Sequence, residues 1–433
     1  NWGNYGLVVI DESHNFRNNN TVVGKENRYQ KLLRKVIQEG IQTKVMMLSA
    51  TPVNNRFNDL RNQLALAYEG NPSNIDGKLE TKVGIDLIFR RAQKAFNIWS
   101  KFSSDKRTTN LLLEMLDFDF FEILDSLTIA RSRKHITNFY DTTAIGQFPK
   151  RNKPISIESP LSTGDAIGYA YIAEQLTLLN LSVYTPLNYV LPSRIDYYAQ
   201  LYDKTVKSGQ GGRLRQVDRE KSLQILMRIN LLKRIESSVD SFRLTLDGII
   251  SQVKAAIDAI AEKNIKNDYE GILAKIDDDN FDWDSDWDDE ENIIGNKVKI
   301  HVADMDRTRW REDLNSDLTL LEDLYLRVAT IKEEKDVKLQ SLKKLIESKI
   351  TNPINQGNKK IIVFTAFADT AKYLYNELSV FFKNKFELNS AMITGSQRLC
   401  TTKKIPTELN TLLSCFSPLS KDKEQIYPNI KDS

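Results

Sequence analysis

Two short runs constrain this chain most. LVVI, residues 7–10, is a continuous apolar stretch rich in β-branched residues, and KVMMLSATP opens a second such run at Lys44. Runs of this kind suit parallel strands buried on both faces. Between them, KENRYQKLLRKVIQEG sets Tyr29, Leu32, Leu33, Val36 and Ile37 at helical spacing and stops at Gly40, a residue suited to a helix C-terminus. The pattern reads strand, helix, strand. Units of that kind gather ligands beyond the carboxyl ends of their strands, where Asp11 and Glu12 follow the first run and Ser49, Ala50 and Thr51 follow the second.

Adjacent acids at a strand end have a chemical use. In Mg²⁺-driven nucleotide hydrolysis, an aspartate just beyond an apolar strand holds the metal through its water shell. A neighbouring carboxylate then orients or deprotonates the attacking water. Asp11 and Glu12 fit those two roles, although an Asp-Glu pair by itself is more often a solvated turn or a helix cap.

Composition narrows the setting. At 433 residues the chain is long enough for two or three domains. Its 61 basic and 58 acidic residues leave a net charge of +3, so any nucleic-acid surface has to be local. The two cysteines (Cys400, Cys415) form no CxxC and the three histidines (His14, His135, His301) are scattered, which argues against a structural zinc or a disulfide framework. No run of about eighteen apolar residues occurs and no signal peptide opens the chain, which predicts a cytoplasmic protein with no membrane partner. The chain begins at Asn1 rather than Met, next to a strand, which predicts a piece of something longer.

VVIDESH followed by LSATP resembles motifs II and III of the superfamily-two helicases. HNFRN and TPVNNRFNDLRNQL further resemble the Swi/Snf-type branch, including its bacterial members. KKIIVFTAFADTAKYLYNEL, residues 359–378, resembles the motif IV of that branch, with AMITG at 391–395 as the next strand. The resemblance implies an α/β fold with parts of two RecA-like parallel-sheet lobes, and ATP with Mg²⁺ as substrate and cofactor. It implies that Asp11 coordinates Mg²⁺ through water, Glu12 activates water and His14 couples the nucleotide site to motif III. Ser49, Ala50 and Thr51 would link hydrolysis to lobe movement, and Arg17 and Asn18 would close the motif II extension. Outside that context, His14 reads as a histidine satisfied by a local carbonyl.

A working site also needs a glycine-rich loop whose N–H groups cradle the phosphates. No GxxxxGK[ST] occurs. GNPSNIDGKL, from Gly70, puts six residues between its glycines and Leu79 where the hydroxyl belongs, and it has turn composition throughout. SGQGGR at 208–213 lacks the Gly-Lys pair. After Gly395 there is no TDxxSEG and no QxxGRxxR. The resemblance therefore implies acids of an ATPase site that the chain does not complete.

Residues 1–80 are assigned to the first lobe, 81–145 to a helical protrusion, 146–160 to a linker marked by Pro149 and Pro154, 161–350 to a large, mainly helical insertion, and 355–433 to the second lobe. Arg131, Arg133 and Lys134, with His135 beside them, and Lys150, Arg151 and Lys153 form the two densest basic clusters. They are candidates for phosphate contact, or else solvated faces. Leu232, Ile235, Val239, Phe242, Leu246, Ile249, Val253, Ala256 and Ile260 form a stripe that predicts one long helix. A second stripe, Leu321, Leu324, Val328 and Ile331, is placed to pack against it as a hairpin, while Gly248 weakens a long rod. Between them lie ten acids and no base from Asp277 to Glu291. An EF-hand alignment from Asp282 puts Trp287 at the required glycine and Ile293 at the bidentate glutamate, so calcium is rejected. The stretch reads as an acidic, loosely held insertion with Trp283 and Trp287 available to a protein partner.

The expected function is an ATP-dependent translocase on double-stranded DNA, with RNA as the alternative substrate. The competing reading is a nucleic-acid-binding or scaffold module that keeps the fold without hydrolysing ATP.

Overall fold

The computed structural model describes residues 4–17, 19, 27–39, 41–50, 56–103, 106–141, 143, 148, 152–164, 167–205, 213–261, 300–402 and 404–430. Most of these residues are helical. They form two compact units, one built on Asn1–Pro154 and the other on Ile155–Thr205 with Arg213–Ser433.

In the first unit, β1 (Leu7–Ile10) and β2 (Lys44–Met47) pair in parallel, with Leu7 opposite Lys44 and Ile10 opposite Met47. The crossover is the helix Arg28–Leu32, started by Asn27, whose side chain accepts the Gln30 N–H at 2.8 Å. It continues as the π-helical turn Leu33–Gln38. Thr43 seats the second strand, its hydroxyl donating to the Tyr5 carbonyl at 2.8 Å. Val8, Ile10, Val45 and Met47 pack with Tyr29, Ile37 and Leu66 on one side of the sheet. The expectation of burial on both faces does not hold. Leu7, Val9, Met46 and Leu48 are exposed on the other side, because the helical cover among the described residues lies on a single face.

The Phe57–Ala67 helix belongs to two cores. Leu66 faces the sheet, whereas Leu60 and Leu64 join Ile85, Ile88 and Phe89 from the Ile85–Trp99 helix and Phe120 and Ile123 from the Phe118–Leu127 helix. Phe120 meets Phe57 and Phe89 edge to face, with ring centroids 5.0 and 5.7 Å apart.

The second unit is centred on three long helices, Gln216–Ser237, Val239–Ala261 and Arg307–Ala329. The predicted single helix through Leu232 and Ile260 is broken at Ser238, which adopts an extended φ of −161° and ψ of 152°. Its hydroxyl accepts the Ser241 N–H at 3.1 Å, the bond of an N-cap. The break turns Leu232 out of the seam to an exposed position, while Ile235, Phe242, Leu246, Ile249, Val253 and Ala256 stay buried. Leu321, Leu324 and Val328 pack on that stripe in the same core. Lys254 of the Val239–Ala261 helix pairs with Glu322 of the Arg307–Ala329 helix, and Lys338 donates to the Glu236 carbonyl.

Gly248 lies inside the Val239–Ala261 helix, and a Cβ built on it meets no atom within 4 Å. Gly248→Ala is therefore expected to stabilise the protein by about 0.5–1 kcal/mol through reduced unfolded-chain entropy. Denaturant unfolding with an unchanged slope checks this.

One turn is fastened to the Arg307–Ala329 helix at two points. Asp317, which is buried, accepts from Asn180 N at 2.6 Å, Ser182 N at 2.8 Å and Ser182 Oγ at 2.8 Å. Trp310 donates its indole N–H to the Ser182 carbonyl at 3.2 Å. Leu181, between the bonded residues, takes a left-handed φ of 49°.

The Val337–Thr351 and Ala368–Phe386 helices pack through Leu339, Ile346, Ile350 and Leu378. Here the expected parallel strands are not found among the described residues. Residues 359–365 carry no ladder, and Phe364 is 89 % exposed. The short strands β3 (Lys204–Thr205) and β4 (Arg213–Leu214) pair antiparallel. So do β5 (Ala391–Ile393) and β6 (Arg398–Cys400), closed by Thr394 N donating to Gln397 O at 2.8 Å. A tight hairpin closes with few ordered residues, whereas a parallel partner needs a long crossover.

Candidate functional site at the carboxyl edge of the parallel strands

The β1–β2 ladder continues past both strands. Leu48 N donates to Ile10 O at 2.8 Å, and Ser13 N donates to Leu48 O at 2.9 Å. The chain turns between these bonds because Glu12 adopts a left-handed backbone, φ 48° and ψ 50°, and leads into a 3₁₀ turn over Ser13–Phe16. Ser13 anchors that turn from beneath, its buried hydroxyl donating to Gln63 Oε1 at 3.0 Å. The turn's far end is tied to the same helix, where Asn62 Nδ2 donates to the Arg17 carbonyl at 2.7 Å and Tyr29 OH donates to the Asn62 carbonyl at 2.9 Å.

The result is a small polar cluster over the strand ends. His14 Nδ1 lies 3.2 Å from Glu12 Oε2 and 3.3 Å from Ser49 Oγ. With the proton on Nδ1, the ring donates towards a carboxylate from one sequence segment and a hydroxyl from the other. Asp11 stands beside the cluster, exposed, its Oδ1 accepting the Glu12 N–H at 2.9 Å. Glu12 is 58 % exposed at its side chain, so its carboxylate is open to water and to a substrate.

The cluster therefore unites Glu12, His14 and Ser49, with Asp11 adjoining. Arg17 points back into its own turn, Nη1 donating to the His14 carbonyl at 3.4 Å, and Ala50 is exposed. Asn18 and Thr51 lie outside the described residues. Gln63 and Asn62 received no role from the sequence. The available signal was a polar Gln63 at helical spacing among Leu60, Leu64 and Leu66, a core-facing position that demands a hydrogen-bond partner.

Mg²⁺ is held through one or two carboxylates, with water and substrate phosphates completing its shell. Asp11 and Glu12 are a donor set of that size. Among the described residues no group of three or more His, Cys, Asp and Glu gathers into a closed metal site.

Of the basic clusters, Arg131, Arg133 and Lys134 are exposed around the start of the Arg133–Phe139 helix. Ser132 caps it by accepting the His135 N–H at 3.1 Å. Lys153 is exposed, whereas Lys150, Arg151, Gly40 and the acidic stretch 277–291 lie outside the described residues.

The second unit contains a cleft of about 530 Å³ lined by Ser237, Ser238, Val363, Phe364, Thr370 and Tyr373, among others. Its polar atoms are largely engaged with one another. Ser237 and Ser238 hydroxyls meet Thr370 Oγ1 at 2.8 and 2.9 Å, and Tyr373 OH donates to Asp336 at 3.0 Å.

Among the described residues no helix is long and apolar enough to cross a membrane. No family model matches the chain, and neither a curated protein nor a solved structure matches it.

Proposed function

We propose that this chain contributes the acidic motif and the adjoining Ser-Ala-Thr segment of an ATP-dependent translocase of the Swi/Snf-type helicase branch, acting on double-stranded DNA. One observation carries the reading. Glu12, His14 and Ser49, drawn from two separated segments, meet within hydrogen-bond distance at the carboxyl edge of two parallel strands.

In this reading Glu12 accepts a proton from the attacking water, its open carboxylate being held in place by the His14 ring. Asp11 is the residue that would hold a hydrated Mg²⁺, which supplies charge neutralisation at the phosphates of ATP. Ser49, at the same ring nitrogen of His14, would sense the position of Glu12 and pass it to the segment that follows β2. The parts of two RecA-like lobes implied by the sequence belong to this proposal. So does a phosphate loop from a longer protein, since no GxxxxGK[ST] occurs in this chain. The decisive measurement is DNA-stimulated phosphate release by the protein that joins these residues to such a loop, with Glu12→Gln as the substitution that must eliminate it.

Arg131, Arg133 and Lys134 are the proposed contacts to the nucleic-acid backbone, Lys/Arg clusters being what neutralises phosphate charge. Reversing all three charges is expected to weaken duplex binding at least ten-fold and to flatten its dependence on salt. An unchanged salt slope would remove these residues from the interface.

A further inference from the structure

Between Asp125 and Asp141 the chain contains Arg131, Arg133 and Lys134 and no acid. It also carries aromatic rings that a mere phosphate-binding face does not need. Phe139 is 73 % exposed and Tyr140 51 % exposed, at the end of the Arg133–Phe139 helix. His135 lies against both, its ring centroid 4.8 Å from Phe139 and 6.0 Å from Tyr140. Arg131 holds the second ring, Nε donating to the Tyr140 hydroxyl at 3.1 Å. Large rings left in water lose the free energy of burial, and these are fixed by neighbours rather than packed into a core.

We propose that Phe139 and Tyr140 form a stacking platform for unpaired nucleobases, with Arg131, Arg133 and Lys134 holding the phosphates of the same strand. This rests on the nucleic-acid reading above and deepens it, since the partner becomes a single strand or a locally opened duplex. Two features converge on that chemistry. The cations lie within ten residues of the rings with no intervening acid, which matches the charge of a phosphate backbone. The rings are flat, exposed and pre-ordered, which suits bases of any sequence because every base has a π-face. A protein partner recognised by apolar burial would not call for the uninterrupted basic charge.

The test uses the purified 433-residue chain and fluorescence anisotropy with three labelled probes of equal length: oligothymidylate, an abasic strand and a duplex. The intact protein is expected to bind oligothymidylate about ten-fold or more tightly than the abasic strand, the scale of base–aromatic stacking. Phe139→Ala with Tyr140→Ala should bring the two to equal affinity, leave the salt slope unchanged and leave duplex binding within about two-fold. Phe139→Leu with Tyr140→Leu keeps apolar bulk without the flat face. The same loss is expected there, and a thermal melt of both variants confirms that they fold. Equal binding of the abasic strand and oligothymidylate by the intact protein overturns the proposal. So does retention of the preference in the leucine variant, or a loss shared equally by the duplex. ATP takes no part in these measurements, so the stacking platform and the hydrolytic reading fail independently.

Discussion

Glu12→Gln is expected to abolish DNA-stimulated phosphate release in the protein that joins this chain to a phosphate loop, while nucleotide binding stays largely intact. The side chain keeps its length and its place 3.2 Å from His14 Nδ1, because an amide oxygen accepts the same hydrogen bond. It loses the capacity to take a proton from water, and a positioned general base contributes on the order of 10²–10⁴ in rate. Phosphate release with and without duplex DNA, alongside fluorescent-nucleotide binding, separates the two effects. Residues 1–433 by themselves are expected to show no turnover, since Asp11 and Glu12 can hold at most a hydrated metal and a water while the charge of a triphosphate needs a phosphate loop and arginines, and losing an arginine finger alone costs about 10³–10⁵ in related phosphoryl transfers. Should this chain alone release phosphate in response to DNA, with Glu12→Gln removing the response, its own residues would have to contain the phosphate cradle.

Asp317→Ala is expected to be the most damaging single change to the second unit, costing on the order of 3–5 kcal/mol. Asp317 is 1 % exposed and accepts from two backbone N–H groups and a hydroxyl. Alanine leaves those donors buried without an acceptor, each stranded group costing about 1–3 kcal/mol. It also releases the turn that holds Leu181 at positive φ and presents the Ser182 carbonyl to Trp310. Asp317→Asn retains one acceptor oxygen and should lose about half as much. Urea unfolding followed by tryptophan fluorescence reads the difference. A loss below about 1 kcal/mol for the alanine variant would mean that water replaces the carboxylate.

The parallel pairing of β1 and β2 was legible, because unbroken apolar runs flanking a helical stripe admit few other arrangements. The meeting of residues from their two carboxyl ends followed from it. The stripe through Leu321, Leu324 and Val328 was equally legible from spacing. Ser238 was not: its neighbours continue the heptad spacing, while its hydroxyl takes the Ser241 N–H and meets Thr370 Oγ1 where the helix breaks. Residues 359–365 mislead in the opposite way. Their composition is that of a buried strand, but a strand exists only with a ladder partner, and composition does not say where the partner is. Gln63 escaped because a core glutamine acquires meaning only once Ser13 is brought under it from fifty residues away.

The uncovered side of the β1–β2 sheet has a consequence for how the protein behaves in the tube. Leu7, Val9, Met46 and Leu48 present apolar surface whose attraction for another such surface is strengthened by excluded salts such as sulfate. Attraction between cationic residues and phosphate backbones weakens as salt rises. If Arg131, Arg133 and Lys134 make the proposed DNA contact, the two surfaces respond to ionic strength with opposite sign. Material that gathers in low salt with DNA present and material that gathers in high sulfate without it are different species, and a salt titration followed by light scattering tells them apart before any residue is changed.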